Sequence, residues 1–365
     1  MPGMLNSVVA KSQISGAADT FSAEAKKVEK KPLIEFLRHI EVYYGYDFNQ
    51  PPNNTRPPFV YSHNRHNEVN INLAYIKGSY SAERVRATLA IAAGTYVNAN
   101  YAAEPGVLKS LNEANVGVKL SGKKGLWLDA GIMVSHIGFE SAYSPACWTL
   151  TRSIMADNSP YYETGAKLGY TSDNGQWYMA ALVLNGWQRI QRVPTSSWPS
   201  GGTQLTYTPS DRVTLNYSTY IGDDKPDSLS ALRIFHDLYG TFNLTDKFGL
   251  TSGIDFGMQE RLKQNGWSNW LGAAIIARYK FSKKTALAAR GEYYLDRDGV
   301  IIPTTTSDGF NTMGASINFD YYIMKVVLWR VEIKMYDSED AVFSKEGKEL
   351  IHTNAAATTS LSISF

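Results

Sequence analysis

Ala356-Ala357-Thr358-Thr359-Ser360-Leu361-Ser362-Ile363-Ser364-Phe365 ends the chain. Small polar and apolar side chains alternate along it, and the last residue is aromatic. Successive side chains of a strand point to opposite faces, so this segment carries one apolar face and one polar face. Such a strand fits the last stave of a sheet that closes on itself in a membrane. A soluble sheet ending on a core strand shows the same local pattern, so the rest of the chain must separate the two.

Outward from that end, the sequence divides into sixteen strand-like segments: 37–48, 68–79, 85–97, 111–121, 126–137, 161–172, 176–187, 202–208, 212–222, 232–244, 247–259, 268–281, 285–297, 310–322, 325–336 and 357–365. Their connections alternate in length. Short turns fall at 81–84, 122–125, 172–175, 209–211, 245–246, 282–284 and Ile323-Met324. Long polar loops fall at 49–67, 98–110, 138–160, 188–201, 223–231, 260–267, 298–309 and 337–356. Tight turns on one rim and long loops on the other are the layout of a bacterial membrane barrel, and an even strand count returns both ends to the short-turn rim. A propeller would repeat a blade motif every four strands, and no such repeat is present.

The two faces of the strands agree with a barrel. Val213, Leu215, Tyr217 and Ile221 oppose Thr214, Asn216, Ser218 and Tyr220; Val327, Trp329, Val331, Ile333 and Met335 oppose Arg330, Glu332 and Lys334. In 69–75, Val69, Ile71, Leu73 and Tyr75 are expected to share one face, with Asn70, Asn72 and Ala74 on the other. In a wide membrane barrel the apolar face meets lipid and the polar face lines water. Tyr44, Tyr46, Phe48, Tyr170, Tyr178, Phe319, Tyr321 and Phe365 stand near strand ends on the expected apolar face, as interfacial girdles do.

Composition narrows the class. The 365 residues show no break that would divide them, and 36 Lys+Arg against 34 Asp+Glu leave a net charge of +2. No global field calls for nucleic acid. The longest apolar runs, such as Leu271 to Ala277, fall far short of the ~20 residues a membrane helix needs. Cys147 is the single cysteine, so no internal disulfide can form. Met1 to Ser22 lacks the basic start and apolar core of a secretory signal. Residues 1–33 are polar and charged and read as a flexible periplasmic lead-in, with the barrel over 34–365.

Several stretches carry a family resemblance. They are Asn49-Gln50-Pro51-Pro52-Asn53-Asn54-Thr55-Arg56-Pro57-Pro58 followed by Tyr61 to Glu68, then Gly94-Thr95-Tyr96 with Asn100 to Gly106, and Leu128 to Met133 running into Ser135 to Ser141. Asn185-Gly186-Trp187-Gln188-Arg189-Ile190-Gln191 and Ile221 to Asp227 complete the set. From about residue 40 to the end, the combination resembles the outer-membrane β-barrel porins of the OmpL-like kind. The resemblance implies a porin-like barrel of the Gram-negative outer membrane and brings no catalytic residues.

The loop 138–160 carries Glu140, Cys147, Trp148, Arg152, Asp157 and Asn158 beside apolar Phe139, Leu150, Ile154 and Met155. Such content suits packing on an inner wall, so the loop is expected to fold inward and constrict the lumen, by analogy with porin-like barrels. The alternative is an extracellular loop packed on its neighbours. The expected pore lining is Arg152, Asp157, Glu163, Arg278, Arg290, Glu292, Arg330 and Glu332. Arg278, Arg290 and Arg330 either form a basic patch facing Asp157 or are neutralised by Glu292 and Glu332. Arg86, Lys119 and Lys167 also fall on the polar face; the lining is nearly balanced in sign, which implies weak ionic preference.

His63, His66 and Glu68 could ligate a metal ion, but a solvated polar loop is the commoner case, and no metal or other cofactor is expected. No phosphate cradle, HExxH zinc motif or GxSxG elbow is present, and nothing links His136 or His236 to a particular serine. The sequence therefore reads as no enzyme but a passive diffusion pore for small hydrophilic solutes in the outer membrane. Its expected partners are outer-membrane lipid, those solutes, and the barrel assembly machinery that would read Phe365 as its signal; an oligomer is compatible with all of this. The rival readings are a plugged barrel with a structural or adhesion role, and an outer-membrane lipid-modifying enzyme.

Overall fold

Two-faced strands of 8 to 15 residues build one closed antiparallel barrel. The computed structural model describes residues 32–365 apart from Lys123 and Lys263, so residues 1–31 of the expected lead-in lie outside the described residues. The first eight barrel strands are β1 (Leu33–Asp47), β2 (Val69–Ser81), β3 (Val85–Ala93), β4 (Leu111–Lys119), β5 (Gly125–Val134), β6 (Tyr162–Thr171), β7 (Trp177–Leu184) and β8 (Ser200–Ser210). Then come β9 (Val213–Gly222), β10 (Arg233–Phe242), β11 (Phe248–Glu260), β12 (Trp267–Lys280), β13 (Thr285–Asp296), β14 (Phe310–Met324) and β15 (Val327–Ser338). A hairpin of β16 (Phe343–Lys345) and β17 (Glu349–Ile351) stands in the last long loop, and β18 (Thr353–Ser364) closes the barrel between β15 and β1.

Closure satisfies the backbone of every stave and leaves no edge facing lipid. At the seam, His39 to Asp47 pair with Ser364 back to Ala356. The ladder runs through the last residue: Arg38 N donates to Phe365 O at 2.8 Å, and Phe365 N returns the bond at 3.0 Å. The Arg38 guanidinium lies 5.6 Å from the Phe365 ring centroid and 5.7 Å from that of Phe36. Phe365, Leu361 and Ile363 are exposed on the outer face. On β15 the inversion expected of a barrel is plain: Trp329, Ile333 and Met335 are exposed, whereas Arg330, Glu332 and Lys334 are buried inside.

Four local expectations change. In β2 the face switches midway. A register shift pairs Glu41 with Leu73 and Val42 with Ile71, so Asn72 is an extra residue and Leu73 and Tyr75 turn inward. The third segment stops at Ala93 instead of 97. Gly94 adopts φ +133°, where a Cβ would lie 2.4 Å from Asn72 O, and a short helix, α1 (Thr95–Asn100), follows. The turn expected at Ile323-Met324 falls at Lys325 and Val326, because β14 continues to Met324. Tyr178 packs against the inner apolar cluster and does not join an outer girdle.

Candidate functional site: a loop docked across the lumen

The chain between β5 and β6 leaves the wall at Ser135 and crosses the lumen. Its base is pinned by His136, whose Nδ1 meets Glu163 at 2.7 Å and whose Nε2 meets Thr219 O at 2.8 Å. Both ring nitrogens face acceptors, which an imidazolium satisfies. Burial opposes that charge, but the Glu163 carboxylate and the Thr219 carbonyl outweigh it and hold the His136 pKa above its ordinary value. The Ser218 hydroxyl donates to His136 O at 2.7 Å.

A backbone crossing a lumen has no ladder partner, so its polar groups must find others. Charged side chains of β13 and β15 and the Asn318 amide of β14 supply them. Carboxylates take the loop's N–H groups: Glu332 accepts from Thr151 N at 2.6 Å and Glu292 from Ile154 N at 2.6 Å. The Asn318 side-chain oxygen accepts from Leu150 N at 3.0 Å. Cations take its carbonyls: Arg290 donates to Thr151 O at 2.8 Å, Arg330 to Ser144 O at 2.8 Å and Cys147 O at 3.1 Å, and Lys334 to Arg152 O at 2.8 Å. The same groups pair along the wall: Arg290 with Glu332 at 2.8 Å, Lys334 with Glu292 at 2.9 Å, and Arg330 and Arg278 with Asp320 at 2.7 and 3.1 Å. Charge-assisted bonds of this kind are the strong ones.

The loop is also tied internally. Arg152 donates to Ser141 O at 2.6 Å and to Leu150 O at 2.8 Å. Ser153 caps the single turn α2 (Ile154–Asp157) through Ala156 N at 3.2 Å, while Glu140 accepts from both Ser153 N and its hydroxyl. Asp157 reaches the first long loop, accepting from Tyr61 N at 3.2 Å and the Ser62 hydroxyl at 3.0 Å. Burial pushes the Asp157 carboxyl up, partly offset by Lys334, Ser62 and Arg152. Burial likewise pushes the Cys147 thiol up.

Apolar packing completes the docking. Phe59 and Val60 of the first loop and Ile154 and Met155 of the crossing loop join Phe235, Trp270, Tyr294, Phe310 and Tyr336 of the wall. Phe59 lies 4.8 Å from Phe310, centroid to centroid. The polar-parity face is thus not polar throughout.

All eight residues expected to line the pore are buried. Arg290, Glu292, Arg330 and Glu332 converge under the loop tip, and Arg152 lies within the loop. Arg278 shares Asp320 with Arg330. Glu163 stands apart, at the loop base. The arginines do not face Asp157; Glu332, Glu292 and Asp320 neutralise them, because a buried cation needs a partner at contact distance. Lys334, Asn318 and the inner aromatics escaped the expected set. Their signal was positional: Phe235, Trp270, Tyr294 and Tyr336 sit at the parity of the charged residues on their strands. His63, His66 and Glu68 are tied separately, to Glu41 at 3.1 Å, Asp47 N at 2.9 Å and Arg65 at 2.7 Å. Among the described residues no group of three or more His, Cys, Asp or Glu side chains could hold a metal.

A family model described as "Putative beta-barrel porin-2, OmpL-like" matches residues 34–365. The chain belongs to this porin family. Solved barrels share its fold. An anion-selective porin from Comamonas acidovorans is 8% identical with a TM-score of 0.60, over 92% of this chain and 100% of that one. The outer-membrane channel DcaP of Acinetobacter baumannii is 9% identical with a TM-score of 0.62, over 94% and 100%. OmpF of Salmonella typhi, in complex with daunomycin, is 9% identical with a TM-score of 0.58, over 91% and 97%. No curated protein matches the sequence significantly. Family and architecture together make this an outer-membrane porin.

Proposed function

We propose that the porin passes small hydrophilic solutes down their gradients through the lumen left beside the crossing loop, which is its constriction. The observation that carries this reading is the asymmetry of the inner wall. The loop packs against β12–β15 and, through Tyr143, against the inner face of β1–β3, whereas toward the short-turn ends of β2–β6 Lys77, Arg86, Lys119 and Lys167 stay partly open to water. No cofactor or energy coupling enters, and no catalytic step is assigned to the buried hydroxyls, which serve the docking: Ser144 donates to Glu41 at 2.5 Å, and Ser62 to Asp157. Outer-membrane lipid would cover the apolar exterior, and Phe365 would be read by the barrel assembly machinery; a Phe365 deletion tests that through the amount inserted. Swelling of liposomes in neutral sugars of graded size tests the pore. Swelling should be fast for monosaccharides and fall steeply with size. Its absence for all sugars would favour a plugged barrel with a structural role, for which the aromatic packing at the loop tip is the supporting observation.

A further inference from the structure

The open wall has a sign of its own. Arg86, Gly117, Asp129 and Lys167 stand opposite one another on successive strands, with Lys119 and Trp127 one step away. Arg86 grips Asp129 through both oxygens, at 2.7 and 2.6 Å, and its guanidinium lies 4.3 Å from the Trp127 ring centroid. The bridge passes directly over Gly117, where a Cβ would lie 2.2 Å from Asp129 Oδ1. Lys77 holds Glu113 at 2.7 Å.

In both pairs the acid is the more deeply covered partner. The side chain of Asp129 is 6% exposed against 29% for Arg86, and that of Glu113 10% against 14% for Lys77. Lys119 and Lys167 are half-buried, and among the described residues neither has a carboxylate within ion-pair distance. The wall therefore presents cations to the lumen, in a way that a near balance of charge along the strands conceals.

We propose that this wall makes the lumen prefer small anions, with Lys119 and Lys167 as the residues that set the preference. The inference rests on the pore reading above. Low-dielectric walls focus the field of fixed charges into the water between them, and Lys or Arg linings favour anions. Two cations about one Debye length from a passing ion change the anion-to-cation permeability ratio by about threefold at 0.1 M salt.

The test is the reversal potential of purified protein in planar bilayers under a KCl gradient, for wild type and for the Lys119→Gln, Lys167→Gln double variant. Wild type should pass chloride in preference, and the double variant should lose about threefold of that ratio while still conducting. A wild type without anion preference, or an unchanged ratio in the variant, overturns the proposal. A silent bilayer defeats the pore reading alone, so a second measurement needs no conduction. Thr171→Cys, on the lumen face near Lys167, is reacted in a Cys147→Ser background with anionic and cationic methanethiosulfonates. The anionic reagent should gain relative to its rate ratio on a free thiol, and lose that gain in the double variant; equal relative rates overturn the proposal.

Discussion

Arg330→Ala should loosen the crossing loop without opening the barrel, and Cys147 reports it. The Arg330 guanidinium is wholly buried and donates to two loop carbonyls, those of Ser144 and Cys147. Bonds from a charged donor contribute about 1.5–3 kcal/mol each. Asp320 keeps Arg278 at 3.1 Å and Asn318 at 2.7 Å, so the full penalty of an orphaned buried charge does not arise. The remaining wall contacts still favour the docked loop. A loss of about 3 kcal/mol in local docking raises the opening constant about a hundredfold. Cys147 is 6% exposed, and burial pushes its thiol up, so in wild type it should react with a neutral maleimide only through opening. Its labelling rate in detergent should rise about a hundredfold in Arg330→Ala, while the folded band in unheated SDS electrophoresis persists. A Lys345→Gln control in the exposed hairpin of the last long loop should leave the rate unchanged. An equal labelling rate in Arg330→Ala and wild type would refute the claim that wall charges dock the loop.

Deleting Thr149 to Ala156 should raise single-channel conductance; an unchanged step size would place the constriction elsewhere. The triple change Arg278→Ala, Arg290→Ala, Arg330→Ala should also raise conductance, because Arg290 and Arg330 hold the loop and Arg278 shares Asp320 with Arg330, and an effect on reversal potential alone would contradict that role. Gly94→Val puts side-chain atoms into the Asn72 backbone at a positive φ, and should lower the midpoint of thermal unfolding on SDS gels by an amount matching about 2 kcal/mol or more. The His136 pKa is raised, so its bridge to Glu163 contributes stability that is complete below the unfolded value near 6.5 and is lost as pH rises through the higher folded value. Loop opening, read by Cys147 labelling corrected for thiolate, should therefore increase across that upper window in wild type and lose this pH dependence in His136→Gln.

Strand count, the alternation of turns and loops and the two-faced pattern were legible because period-two sequence maps directly onto a barrel wall. Trp329-Arg330-Val331-Glu332 needs no further context to say which side meets lipid. What stayed hidden depends on contacts distant in sequence. The extra residue Asn72 flips Leu73 and Tyr75 inward because the bulge is defined by its partner strand, β1. The fate of the wall charges was equally non-local: Arg290 meets Thr151 across 139 residues, and Arg330 meets Ser144 across 186. Reading Arg330, Glu332 and Lys334 as water-lining was reasonable for a bare wall and fails once a loop backbone lies against it. Aromatic residues at the same parity, such as Trp270 and Tyr336, marked the strip where the loop packs. Toward the short-turn ends of β3–β6, below the apolar cluster that Tyr143 joins, Arg86, Lys119 and Lys167 keep part of the exposure their parity implies.

In the proposed pore, the docked loop narrows the lumen and leaves a water path along the β2–β6 wall. Single-channel recording of the purified, unmodified protein in planar bilayers tests it most directly. Discrete, reproducible steps of open current, smaller than those of the loop-deleted form, are the predicted result. Silence in the wild type, with steps only after loop deletion, would contradict it and show a barrel sealed by its own loop.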